Sequence, residues 1–133
     1  MSVFTIDIAC TLRKNTHRVF LRRVPLERIA SALLSKHYTL SIALVGDARA
    51  KRLNNTYRKK NYVPNVLSFS LAKDEGEIVL NIRKAEREAR VLGVSPVARI
   101  AHLYVHGLLH LKGMRHGAAM DTLEKNILRR FNR

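Results

Sequence analysis

Four of the six histidines in this 133-residue chain fall between residues 102 and 116. His102, His106 and His110 recur every four residues, which stacks them on one helical face, each turned only about 40° from the last. Clustered imidazoles are metal ligands by chemistry, yet these three cannot share one ion. From His102 to His110 a helix rises about 12 Å, whereas a ligating nitrogen stands about 2.0–2.1 Å from zinc. One adjacent pair must be chosen, and the next residues choose it. His116 lies six residues beyond His110 and would point away on a continuing helix. Gly113 can take the left-handed conformation that stops a helix and turns the chain back. His106, His110 and His116 are therefore the expected ligands. His102, one turn behind, is expected in a supporting or packing role, and the isolated His17 and His37 on the surface.

Three nitrogen ligands leave a fourth position for water, the arrangement of catalytic rather than structural zinc. In such sites bound water reaches a pKa of about 7. One Zn2+ is the expected cofactor, although imidazoles also suit nickel, copper or iron. Metzincin proteases share the histidine spacing, but their motif begins His-Glu. Gly107 follows His106 here, so the general base of those proteases is missing and peptide hydrolysis by that route is disfavoured.

The site needs a scaffold. Residues 2–9 read as a strand, followed by a basic loop. Pro25 suits a first helical position, with Leu26, Ile29, Ala30, Leu33 and Leu34 on one apolar face. Residues 39–45 read as a second strand. Gly46 and Asp47 make a turn and helix cap, launching a helix to about Tyr57. Strands follow over 66–71 and 77–80, separated by a turn over 73–76. Asn81 caps a charged helix to about Leu92. Ser95-Pro96 starts the histidine helix, which ends near Gly113. A last amphipathic helix turns Leu123, Ile127, Leu128 and Phe131 inward. Mixed elements without strict alternation predict one α+β domain over 1–133, with about four strands in a small mixed sheet and about five helices.

Composition narrows the class. Lys and Arg number 25 against 10 Asp and Glu, a formal net charge of +15. Such a field draws in polyanions, and phosphate contacts can supply much of their affinity. RNA or an RNA-containing particle is the expected partner. No apolar run approaches the roughly 20 residues that span a bilayer, and the start lacks a signal-peptide pattern. A basic targeting segment over 13–23 is the weaker reading. Cys10 is the lone cysteine, so it forms no intramolecular disulfide and reads as a small core residue in a reducing, cytoplasmic setting.

The run His102-Leu-Tyr-Val-His106-Gly-Leu-Leu-His110-Leu-Lys-Gly113-Met-Arg-His116 closely resembles the signature of the YbeY family of endoribonucleases, His-Gly-x-Leu-His-Leu-x-Gly-Tyr-Asp-His. A second block, Leu53-Asn54-Asn55-Thr56-Tyr57-Arg58 followed by Val66-Leu67-Ser68-Phe69, is similar to that family's Leu-Asn-x-x-Tyr-Arg and Thr-Asp-Val-Leu-Ser-Phe-Pro. Gly76-Glu77-Ile78 looks like its Gly-Asp-Ile strand. The resemblance implies a metallohydrolase that cuts single-stranded RNA in ribosomal RNA maturation and ribosome quality control, in contact with the small ribosomal subunit, with neither DNA nor a membrane as partner.

It also implies that Arg58 is the functional arginine. A guanidinium can fork onto a phosphate and stabilise its developing charge. Lys59, Lys60 and Tyr62 would continue an RNA-tracking surface. Departures are plain: Arg115 and Met114 stand for the family's Asp and Tyr, Pro64-Asn65 for Thr-Asp, and Ser70 for Pro. Asp74 and Glu77 are acids near in sequence, and neither is assigned as general base. Beside RNA hydrolysis stand two alternatives: a non-catalytic ribosome-assembly factor using the metal as a pin, and the disfavoured protease.

Overall fold

The computed structural model describes residues 5–10 and 22–131. Segments rich in β-branched and aliphatic residues form strands β1 (Thr5–Cys10), β2 (Thr39–Val45), β3 (Val66–Ala72) and β4 (Glu75–Asn81). They lie in the order β1-β2-β4-β3, with β1, β2 and β4 parallel and β3 antiparallel to β4. Parallel neighbours require crossovers. Helix α1 (Leu26–Leu33) precedes β2, and α2 (Asp47–Arg58) follows it. Then come α3 (Ile82–Leu92), α4 (Pro96–Leu111) and α5 (Ala118–Phe131). Among the described residues this is the expected α+β fold, with a mixed four-stranded sheet and five helices.

Strand side chains alternate between two faces. Leu40, Ile42, Leu44, Ile78 and Leu80 join Ile29 and Leu33 of α1 and Ile100, Tyr104 and Leu108 of α4 in the larger core. Val45, Leu67 and Val79 face the other way, onto Ala50 of α2, with Leu53 and Phe69 alongside. Helix α4 is the most deeply set helix. Tyr104 is fully buried and its hydroxyl donates to the Leu26 carbonyl at 2.8 Å, while burial pushes its phenol well above the usual range. No helix among the described residues is long and apolar enough to cross a membrane.

Three details differ from expectation. The turn before β4 narrows to Lys73-Asp74, because Glu75 and Gly76 already pair with Thr39 and Leu40 of β2. Pro25 sits at the N-cap of α1 rather than inside it. At α2 Gly46 is the N-cap and no side chain caps it; the Asp47 carboxylate is instead held by Arg87, at 2.9 Å through two nitrogens, and by Asn81 at 2.9 Å. The first strand is seen over Thr5–Cys10; the Cys10 side chain, His17 and the basic loop lie outside the described residues. His37 is exposed, as expected.

Asn81 ties these elements together. It is buried, and its side-chain oxygen accepts from the Lys84 amide at 3.2 Å, capping α3. Its amide donates to Asp47 and, at 3.1 Å, to the Pro64 carbonyl. One side chain thus joins β4, α3, the start of α2 and the loop leading into β3. Asn81→Ala removes the cap and leaves the buried Pro64 carbonyl without its donor, so urea unfolding should show a loss of about 2–3 kcal/mol. Asp47 titrates below the usual carboxylate range, chiefly because Arg87 hydrogen-bonds to it. Its contribution is present above its unfolded value of about 3.9 and fades as pH falls through the lower folded value. Acid titration should therefore bring wild type and Asp47→Asn to equal stability at the acid end, with wild type the more stable at neutral pH.

Candidate metal centre

Helix α4 begins where Ser95 accepts from the Ala98 amide at 3.1 Å, with Pro96 in the first turn. Its buried stripe faces the sheet, and Ser68 of β3 donates to the Gly107 carbonyl at 2.9 Å. This seating leaves the row His102, His106, His110 half-buried on the opposite flank. His106 and His110 are edge to face, their ring centroids 4.7 Å apart.

Gly113 ends the helix with φ +97°. The Gly113 amide donates to His110 O and the Met114 amide to Leu109 O, both at 3.0 Å. These are the two bonds of a Schellman turn, which requires a left-handed residue at the position Gly113 occupies. The turn brings His116 back, its ring centroid 4.6 Å from His110 and 5.1 Å from His106. One ligand nitrogen from each ring lies within 4.8 Å of the other two. These three histidines are thus positioned to bind a metal ion.

The donor set fits a cation for a reason beyond distance. His106 Nδ1 is 2.9 Å from a carboxylate oxygen of Glu124, and His110 Nδ1 is 3.1 Å from the Met114 carbonyl. Both oxygens only accept, so each neutral ring carries its proton on Nδ1 and its lone pair on Nε2. The two Nε2 atoms face each other at 3.1 Å. Two lone pairs at that distance repel unless a positive charge lies between or beside them. Burial holds the His110 imidazole below its usual range, and the charges of His106, His116 and Arg58 push the same way, against the Met114 carbonyl. The ring is therefore ready to ligate at neutral pH.

Arg58, the last residue of α2, is exposed, with one guanidinium nitrogen 3.5 Å from the buried Asn54 side-chain oxygen. The Ser68 bond to the Gly107 carbonyl joins the two matched sequence blocks, and the Arg58 charge helps hold the His110 imidazole down. Asn54 also donates to the Tyr62 carbonyl at 3.1 Å, pinning the loop after α2. On that loop Lys59 caps the helix in the left-handed conformation (φ 58°), and Lys59, Lys60 and Tyr62 are exposed. Asp74 accepts from Ser35 at 2.8 Å. Glu77 is half-buried on β4 beside Phe69. Arg115 is exposed. His102 contacts Arg99 and Glu124.

Sequence reasoning missed Glu124, although a signal existed. It shares a helical stripe with the buried Met120 and Ile127, and an acid on an apolar stripe needs a partner. Asn54 and Arg99 were missed as well, because each acts through contacts with other side chains.

Fold and site together define an α+β protein with three histidines positioned to bind a metal ion. The chain belongs to the family described as Endoribonuclease YbeY, whose model matches residues 9–132. Its relatives include the endoribonuclease YbeY of Aromatoleum aromaticum, 40% identical over 111 residues, 77% of this chain and 72% of that one. That of Thiobacillus denitrificans is 37% identical over 120 residues, covering 83% and 82%. That of an Azoarcus species is 32% identical over 145 residues, 97% of this chain but 58% of the relative. The solution structure of TM1509 from Thermotoga maritima has the same fold, with TM-score 0.66 and 22% identity over 93% of this chain and 87% of that one.

Elemental analysis of the purified protein should find one metal ion per chain, lost in His110→Ala. Gly113→Ala forces a left-handed alanine at a cost of about 1–2 kcal/mol and should weaken metal binding by displacing both His116 and the Met114 carbonyl.

Proposed function

We propose that this chain is a metal-dependent endoribonuclease that cuts single-stranded RNA during ribosomal RNA maturation and ribosome quality control. The observation that carries the reading is the meeting of three histidine nitrogens within 4.8 Å, in a chain of the Endoribonuclease YbeY family. His106, His110 and His116 hold one ion, zinc by ligand chemistry. Bound there, it supplies Lewis acidity toward a phosphoryl oxygen and lowers the pKa of water.

The chain's own residues supply the rest. Arg58 forks onto the scissile phosphate, and Asn54 steadies its guanidinium from behind. Because the Arg58 charge is permanent and already in place, it stabilises the growing negative charge without reorganisation. Lys59 and Lys60 follow the strand on either side of the cut. The net charge of +15 favours ribosomal RNA and the small ribosomal subunit as partners over an uncharged substrate. A cytoplasmic location goes with this reading, and neither DNA nor a membrane is a partner in it.

Arg115, where the family pattern has Asp, favours one alternative: an assembly factor that binds RNA and keeps the metal as a pin. Cleavage of single-stranded RNA by metal-loaded protein separates the two. Cleavage should be abolished by chelator and by His110→Ala. It should fall about 100- to 1,000-fold in Arg58→Ala, with Arg58→Lys recovering only part because ammonium cannot fork. Tight RNA binding with no cleavage in any metal would establish the assembly factor instead.

A further inference from the structure

Glu124 is a nearly buried acid, and both its oxygens are used. One meets His106 Nδ1 at 2.9 Å and the other meets His102 Nε2. A carboxylate accepts only, so both imidazoles present a proton to it. His102 then has its lone pair on Nδ1, where Arg99, which can only donate, stands at 3.2 Å. Arg99 in turn is fixed by Glu88, with Nε at 3.0 Å and Nη2 at 2.9 Å. Glu88 also receives the Asn65 amide at 3.2 Å.

With Glu124 ionised and the rings neutral, these contacts place the His106 proton on Nδ1 and the His102 proton on Nε2. The chain of contacts runs from the loop before β3 through α3, α4 and α5, and ends on His106. We propose that Glu124 is the positioning residue of the metal centre. It locks His106 with its proton on Nδ1 and its lone pair on Nε2, aimed at His110 and His116. His102 and Arg99 hold Glu124 in place, so His102 serves the site without ligating the ion.

A carboxylate behind a ligating histidine both orients the ring and makes it a stronger donor, and losing one typically costs about 10- to 100-fold in metal affinity. The proposal rests on the metal reading given above but not on RNA cleavage. Its test is zinc affinity by competition with a chromophoric chelator, together with long-range 1H–15N NMR of the metal-free protein at about pH 8.5, where imidazoles are neutral. In wild type, His106 should show the Nδ1–H tautomer.

Glu124→Ala should lose that tautomer and bind zinc about 10- to 100-fold more weakly. Glu124→Gln, whose amide oxygen still accepts from His106, should keep the tautomer and lose less affinity. Its NH2 opposes the His102 proton, so rescue is partial. A wild-type His106 protonated on Nε2 overturns the proposal without any variant being made. So does equal zinc affinity in wild type and Glu124→Ala. Wild type that binds no zinc overturns the metal reading with it, whereas zinc binding without RNA cleavage overturns only the proposed activity.

Discussion

Residue 107 lies tight against the sheet: a Cβ there would stand 3.0 Å from Ser68 Oγ and 3.3 Å from two carbons of Ile78, so its neighbours would have to give way. Interiors packed at crystal density do not absorb such an atom freely. The close approach, with the Ser68 hydrogen bond to the Gly107 carbonyl, sets the depth and rotation at which α4 lies on β3 and β4. Once that rotation is fixed, so are the rows beside it. His106 and His110 are carried to the flank where the Gly113 turn returns His116. Gly107 therefore does more than mark the absence of a protease's glutamate. Its position faces the sheet, so a glutamate there would be buried in the packing and not beside the ligands.

The second constraint is electrostatic. A chain with this excess of cations must place its few acids where they matter. Asp47 joins α2 to α3 through Arg87, Glu88 holds Arg99, and Glu124 stands behind two imidazoles. Arg58, by contrast, leans on the neutral Asn54 and, among the described residues, not on a carboxylate. Its charge is thus oriented without being cancelled, which is what a phosphate-binding group requires. Glu88 and Glu124 thus serve as fasteners within the fold, while Arg58 stays exposed.

What could be read from the residues divides by range. The His106–His110 pair, the Gly113 reversal, the Asn81 cap and the Ser95-Pro96 start depend on neighbours within a few positions, where helix geometry dictates the outcome. Strand existence was equally legible, because Thr39–Val45 and the apolar residues of β4 carry their own burial pattern. The end of the hairpin was not, since pairing with β2 decides that Glu75 is already strand. Asp47 misled for a related reason: a local cap and a distant Arg87 compete for one carboxylate, and the charged partner won. Glu124 lies 18 residues from His106, across a turn whose path had to be known first. Periodicity placed an inner face on α5 at Leu123, Ile127, Leu128 and Phe131, and it is silent on the acid among them.

Two departures from the family pattern, at positions 65 and 115, fit these constraints. Asn65 stands where the pattern has Asp, and its amide donates to both oxygens of Glu88. An aspartate there would set two carboxylates against each other at hydrogen-bond distance, a repulsive arrangement unless one is protonated. The change to Asn is matched to Glu88, and through Arg99 it belongs to the network behind His106. Arg115 replaces the pattern's acid beside the third histidine and is exposed. Both substitutions remove negative charge, and among the described residues the carboxylate seen against His106 is Glu124, on the buried side. Orientation of His106 is therefore supplied from inside the fold, while the outer side, where a polyanion would approach, gains positive charge at Arg115.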